Sequence, residues 1–361
     1  MSLIQALPDG PLDIVGDIHG EFDALRQLIR HLGYDMNGAH PDGRTLVFVG
    51  DFCDRGPDSP AVLALALRWI ESGRAVAVLG NHEINLLRED AKDGSGWYFD
   101  ERIARDNEKY APYRRMDLAQ RDATLALLSR LPIALERDDL RVIHAAWCEP
   151  QIGMARQLAP GSVRREYDHW EQEADRKALE TRLGERMRAE RVLWPHDLED
   201  GSRKPPFLSA HAENESNKQM LNPLKVLTSG VERKGGDPFF AGGKWRFVER
   251  VAWWNEYDDR VPVVMGHYWR RVHALDRSAL GKGDQDLFKG ISPFAWHGRH
   301  GNVFCVDYSV GARWTARRKG QAPERDFKLA ALRWPERELQ FDDGTRHATT
   351  HFGEAIEPAS A

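Results

Sequence analysis

The chain has 361 residues, 41% of them hydrophobic and 30% charged, with a formal net charge of -5 from 51 basic and 56 acidic side chains. That profile belongs to a soluble globular protein and gives no overall positive field to hold a nucleic acid duplex or an anionic membrane, so any phosphate binding must come from a local site. Three cysteines without a CxxC pair (Cys53, Cys148 and Cys305) argue against a disulfide framework, Met1–Gly10 lacks the pattern of a signal peptide, and no uncharged apolar stretch reaches ~18 residues, which together point to the cytoplasm.

Leu12–Val15 is a short apolar run, predicted as a strand, that stops at Gly16-Asp17. Phe22, Leu25, Leu28, Ile29 and Leu32 then lie on one helical stripe that ends at Gly33. Leu46–Val49 is the next strand and stops at Gly50-Asp51. Ser59-Pro60 opens a second helix, since Ser caps and Pro suits the first turn, and its apolar positions run through Val62, Leu63, Leu67 and Ile70. Ala75–Leu79 is a third strand, ending at Gly80-Asn81-His82. Strand, polar tip and helix thus occur three times over, which implies a sheet with helices packed on it and ligand groups at the carboxyl ends of its strands.

Leu140–Ile143 reads as a fourth strand and ends at His144. The Glu-, Arg- and Ala-rich stretch 156–191 predicts a helical insertion, with an exposed helix of paired charges at 170–190. Residues 200–245, polar and rich in Gly, Pro and Asn, predict a long surface loop. Strands return at Val261–Met265, before Gly266-His267, and again at Val303–Asp307, Leu329–Trp334 and Glu338–Phe341; the tail after Gly344 is expected to fray. Trp245, Trp253, Trp254, Trp269 and Trp296 read as core or rim packing, Arg313–Arg318 with Lys319 as a solvated loop, and Cys53 as a small buried side chain.

Five strand ends carry potential metal ligands: Asp17 and His19 in GDIHG, Asp51 in GDFCDRG, Asn81 in GNHE, His144 in VIHAAW and His267 in VMGHYW. Oxygen and imidazole donors without thiolate suit Mn, Fe, Zn or Co. Six such side chains are too many for one ordinary catalytic ion and about right for two, if one carboxylate bridges. Paired cations polarise a phosphoryl group and lower the pKa of a bridging water, which then attacks in line. His82 follows Asn81 directly, titrates near working pH and is placed to protonate the leaving group; Asp54 is placed to orient it, and Arg55 offers a planar fork for phosphate oxygens.

GDIHG, GDFCDRG and GNHE resemble the signature of the calcineurin-like metallophosphoesterase superfamily and, more narrowly, of its phosphoprotein phosphatase branch, which includes bacterial serine/threonine protein phosphatases and symmetrical diadenosine tetraphosphatases. CVDYSVGARW with KLAALRWPEREL after it is similar to the strand pair that closes bacterial members. The resemblance implies that Asp17, His19 and Asp51 hold a first metal, and that Asp51, Asn81, His144 and His267 hold a second, with Asp51 bridging. His82 with Asp54 then forms the acid pair and Arg55 a phosphate clamp. Two positions depart from the pattern. His144-Ala145-Ala146 stands where relatives have HAG or HGG, and Trp269 stands where wider relatives have a second histidine after His267. The branch's second phosphate-binding arginine is not placed by the motifs; Arg246 and Arg250 are candidates.

Because one mixed domain commonly reaches only ~200–250 residues, we expect a single α/β domain over 1–361, two facing mixed sheets flanked by helices, with a cap-like insertion at 150–255. The expected function is phosphate monoester hydrolysis, as a bacterial-type serine/threonine protein phosphatase with two divalent metals, manganese first among them. The alternatives are symmetrical dinucleoside polyphosphate cleavage and a non-catalytic scaffold. The partner is then a phosphorylated protein or a nucleotide, and the oligomeric state is left open.

Overall fold

A computed structural model of the chain describes residues 2–241, 244–273 and 285–354. The N-terminal half runs β1 (Ile4–Ala6), β2 (Leu12–Val15), α1 (Phe22–Leu32), β3 (Thr45–Phe48), α2 (Ser59–Glu71), β4 (Ala75–Ala77), α3 (Asn81–Leu87), α4 (Ile103–Tyr110), α5 (Leu118–Leu128), β5 (Ala134–Arg137) and β6 (Leu140–Ile143). A helical stretch follows: α6 (Glu149–Ala155), α7 (Val163–Glu180), α8 (Leu183–Leu193), α9 (Ser209–Met220) and α10 (Pro223–Ser229). Then come β7 (Glu232–Ala241), β8 (Lys244–Arg250), β9 (Val263–Met265), β10 (Val303–Cys305), α11 (Arg313–Arg318), β11 (Ala330–Trp334), β12 (Glu338–Phe341) and β13 (Arg346–Ala348).

Two mixed sheets form the expected α/β sandwich. One has the order β1-β5-β6-β9-β10, the other β13-β12-β11-β2-β3-β4, and β7 with β8 makes a separate hairpin. Side chains alternate across each strand, and the buried residues sort accordingly. Leu12 and Ile14 of β2, Val47 of β3, Val142 of β6, Val264 of β9 and Phe304 of β10 meet between the sheets. Val15, Leu46 and Phe48 face outward on the side of Leu25, Leu28 and Ile29 of α1 and Val62 and Leu63 of α2, and Ile143, Val263, Met265 and Cys305 face outward from the other sheet. Strands covered on both faces read as unbroken apolar runs, which is why these were visible in the sequence. β2, β3 and β4 are parallel, as are β6, β9 and β10. Each set therefore delivers its carboxyl ends to one edge.

Local details follow from side-chain chemistry. Gly33 ends α1 in the left-handed conformation, φ 97°, which glycine adopts without a Cβ clash. Asp58, not Ser59, caps α2, its carboxylate accepting from the Ala61 amide at 3.0 Å; the Ser59 hydroxyl instead accepts from the Asp54 amide at 3.0 Å. Arg176 pairs with Glu173 and Glu180 on the exposed face of α7, as the charge pattern predicts.

Three expectations are corrected. Residues 200–245 are not a surface loop but contain α9, α10 and most of the β7–β8 hairpin. Their signals were weak for physical reasons: α9 buries only Ala210, Ala212 and Gln219, and a register shift between Lys234 and Phe239 breaks the alternation of β7. Arg313–Arg318 is a helix rather than a solvated loop. Arg313 is buried, donating to Asp342 at 2.6 Å and to the Phe327 carbonyl at 2.9 Å, and Arg317 pairs with Glu21 at 2.6 Å. After Gly344 the chain pairs again, β13 on β12, with its side chains exposed, as suits an edge strand; residues 355–361 lie outside those described. Trp245, Trp253, Trp254 and Trp296 are buried, in keeping with a packing role.

One buried ion cluster ties the central strand to its neighbours. Asp13 of β2 accepts from the Tyr34 hydroxyl at 2.8 Å, Arg44 Nε at 2.9 Å and Arg333 Nε at 3.1 Å. Asp13→Ala would leave the Arg44 guanidinium only Glu336, at 2.7 Å, and would strip the Tyr34 hydroxyl and Arg333 Nε of their acceptor; it is expected to cost about 1.5–3 kcal/mol. Chemical denaturation measures this; a loss of only about 1 kcal/mol, as for an exposed pair, would contradict it.

Candidate metal centre

The polar tips of β2, β3, β4, β6 and β9 converge on one buried cleft, bringing together all nine residues singled out above. Asp51 Oδ2 lies 3.7 Å from His19 Nε2, 3.8 Å from His82 Nε2 and 3.4 Å from His144 Nε2. Asp17 Oδ2 is 3.9 Å from His19 Nε2 and accepts from the His267 amide at 3.1 Å. Asn81 Oδ1 sits 3.3 Å from His144 Nε2 and 3.1 Å from His267 Nδ1. Among the described residues, two groups of side chains could each hold a metal ion: His19, Asp51 and His82, and Asp51, His144 and His267. Asp51 is common to both.

The donor set fits cations. Bonds of about 2.0–2.2 Å to a shared ion separate two donors by roughly 3–4 Å, and the separations above fall in that range. Ring orientation agrees. His19 Nδ1 donates to the Cys53 carbonyl at 3.0 Å and His144 Nδ1 to the Val49 carbonyl at 2.8 Å, which turns each Nε2 lone pair inward. At the cleft mouth His82 Nδ1 donates to Asp54 Oδ2 at 2.5 Å. Arg55 reaches across, its two terminal nitrogens 3.1 Å from His19 Nε2 and 3.2 Å from His82 Nε2.

The fields at this cleft push its groups apart. Burial, then the Asp307 and Asp51 carboxylates, raise the Asp17 carboxyl well above its usual range. Burial would also raise Asp51, but His144, His82 and His19 outweigh it and hold that carboxyl well below. Burial would lower His144, yet Asp51 beside it carries the imidazole up to about 10. His82 is raised too, burial being overcome by Asp51 and Asp54. His19 is lowered by burial, then by Arg55; His267 by burial, then by Arg250. Burial thus disfavours the charge on Asp17 while its neighbours stabilise that on Asp51, and a bound divalent cation would be the largest local charge acting on both.

The backbone is strained at the same points. His19, Asp51, Asp54, Arg55 and His267 all have φ between 47° and 75°, a conformation costing non-glycine residues about 1–3 kcal/mol each and concentrated at functional sites. Glycines let the loops close: a Cβ on Gly266 would collide with the Asp17 carboxylate, and one on Gly80 with Asp51.

A model of calcineurin-like phosphoesterases matches residues 10–200, more than half of the chain. The chain belongs to that family. Among curated relatives, the asymmetrical bis(5'-nucleosyl)-tetraphosphatase PrpE of Halalkalibacterium halodurans is 47% identical over 79 residues, 21% of this chain and 32% of that protein. Its namesake from Bacillus velezensis is 33% identical over 148 residues, 39% of this chain and 58% of that protein. The chain thus spans about a third to somewhat over half of the length of these relatives. Among solved structures, the cold-active protein-tyrosine phosphatase of a psychrophilic Shewanella species aligns with 96% of this chain and 83% of its own, at 16% identity and a TM-score of 0.45.

Set beside the pattern of this phosphoesterase family, the two departures have simple accounts. Ala145 and Ala146 are fully buried with both amides directed at the Leu227 carbonyl, at 3.1 and 3.3 Å, and neither has a positive φ, so no glycine is required. Trp269 takes up the Arg55 guanidinium, 4.9 Å from its ring, where a second imidazole would otherwise stand. Three supporting residues were missed. Glu83 accepts from the Asp51, Phe52 and Gly80 amides at 2.8, 2.9 and 3.1 Å, clasping the loops after β3 and β4. Asp307 accepts from the Trp269 and Ser309 amides at 2.8 and 2.7 Å, and burial pushes its carboxyl up to about 6. Its place just past β10 is the same strand-end signal that marked the others. Trp97 donates to Asp54 Oδ1 at 2.5 Å and carries no motif.

Proposed function

We propose that the chain hydrolyses phosphoesters with the help of two divalent cations. The observation that carries this reading is the meeting of three imidazole Nε2 atoms within 3.4–3.8 Å of one Asp51 oxygen, shared by both candidate metal groups. Asp17, His19 and Asp51 would hold one ion, and Asp51, Asn81, His144 and His267 the other, with Mn, Fe, Zn or Co all suited to such donors. When bound, such a pair polarises phosphoryl oxygens and makes water acidic enough to attack near neutral pH.

The chain's own groups do the rest. Arg55 directs its fork into the cleft and binds phosphate oxygens. Of the two further arginines on β8, Arg246 turns back toward the Ala241 carbonyl at 3.4 Å, which leaves the exposed Arg250 at the end of the strand as the candidate for a second phosphate contact. His82, raised in pKa, gives the Nε2 proton to the leaving oxygen while Asp54 holds Nδ1. Arg250 lies within the stretch 150–255, which we read as a cap inserted in one catalytic domain and as the part that shapes substrate choice.

The substrate is a phosphorylated serine or threonine of a protein in the first reading. A second reading is favoured by the curated relatives, which are named for dinucleoside tetraphosphate cleavage; they are called asymmetrical, whereas the motif resemblance suggested symmetrical cleavage. Side-by-side turnover of a phosphopeptide, diadenosine tetraphosphate and an aryl phosphate, with and without Mn²⁺, separates the readings. Turnover of the aryl phosphate and one natural class is expected. No metal uptake and no turnover of any of the three would leave a scaffold.

A further inference from the structure

We propose that Trp97 is a positioning residue for proton delivery: it fixes the plane of the Asp54 carboxylate and, through it, the direction of His82 Nε2. This rests on the acid role given to His82 above. The two oxygens of Asp54 are divided between two donors, His82 Nδ1 on Oδ2 and Trp97 Nε1 on Oδ1, both at 2.5 Å. Asp54 and Trp97 are each only 1% exposed, so neither hydrogen bond competes with bulk water. The terminal torsion of aspartate is broad and roughly two-fold. Held by the imidazole alone, the carboxylate could swivel and take the ring with it. A second donor on the other oxygen removes that freedom.

Trp97 is itself held. Its backbone carbonyl accepts from the Met116 amide at 3.0 Å, its ring meets Tyr98 edge-on at 5.4 Å, and the preceding Gly96 amide donates to Asp106 at 2.7 Å. The segment joining α3 to α4, which carries no ligand, thus reaches into the proton-donor pair from outside the motif loops. In the step served, water that has given one proton to solvent bonds to phosphorus as hydroxide, the bond from phosphorus to the leaving oxygen breaks with its electron pair on that oxygen, and the Nε2 proton passes to it, leaving a neutral imidazole that solvent reprotonates.

The test is the ratio of kcat on phenyl phosphate, whose leaving group needs a proton, to kcat on a dinitrophenyl phosphate, whose leaving group does not. The ratio is taken within one metal-loaded preparation, so a partly unfolded fraction cancels. Trp97→Phe keeps an aromatic ring and removes the N–H; it is expected to lower the ratio about 10–100-fold, the usual range for an outer hydrogen bond to a working group, with KM for the dinitrophenyl ester unchanged. Should Trp97→Phe not accumulate folded, Trp97→Leu, which also lacks a donor, is read the same way. In a His82→Ala background the same substitution should leave the ratio where His82→Ala put it. An unchanged ratio in Trp97→Phe, with a large drop in His82→Ala, overturns the role of Trp97 and spares that of His82. An unchanged ratio in His82→Ala overturns both.

Discussion

His82→Ala is expected to lower kcat on a phosphate ester with a poor leaving group by about 10²–10⁴, the usual contribution of a positioned general acid, while leaving the metal content at that of the unmodified chain. The second half of this expectation is the sharper. His82 Nε2 lies 3.8 Å from Asp51 Oδ2, in one of the two groups that could hold an ion, and a carboxylate behind the ring is also what a metal-bound histidine commonly has. Geometry near Asp51 therefore admits His82 as a ligand. What favours the acid is the group behind the ring: the Asp54 carboxylate holds Nδ1 at 2.5 Å and stabilises a charged imidazole, whereas His19 and His144 have only backbone carbonyls at Nδ1. Elemental analysis of the purified variant decides. Loss of an ion together with activity, on good and poor leaving groups alike, would make His82 a ligand and remove the acid from the scheme.

The parts of this molecule legible in sequence are those where one short stretch meets one physical demand. β2, β3, β6, β9 and β10 are buried on both faces and so read as plain apolar runs. The loops after β2, β3, β4 and β9 turn sharply at a polar residue, which leaves the Gly-Asp, Gly-Asn and Gly-His pairs in view. The β7–β8 hairpin has neither mark: it packs only one face, through Trp245 and Phe247 against α9, and its glycines and Pro238 read as loop. Arg313 looked solvated because its partner, Asp342, is far along the chain. Trp97 was invisible for the same reason, since a buried indole announces packing and not the carboxylate that its N–H finds.

Asp51→Asn is expected to empty both candidate metal groups together and to abolish turnover, a larger effect than removing any outer hydrogen bond, which costs about 10–100-fold. The replacement is nearly isosteric, so the reason lies in which atom goes where. Asp51 Oδ1 accepts from the His82 amide at 3.1 Å, and the asparagine oxygen will take that place because its amide nitrogen cannot accept. The NH₂ group is then forced into the position of Oδ2, the atom 3.4–3.8 Å from His19, His82 and His144 Nε2. A donor without a free lone pair stands where the His19 and His144 lone pairs converge and cannot ligate a cation. The same exchange deletes the negative charge that holds His144 up to about 10, so the electrostatic pull on a cation weakens on both sides at once. Titration with Mn²⁺ followed by calorimetry reads the outcome directly. Two ions lost in one step fit a shared carboxylate, and a variant that keeps one ion at its original affinity would show that Asp51 serves a single site, with the other ion seated elsewhere in the cleft.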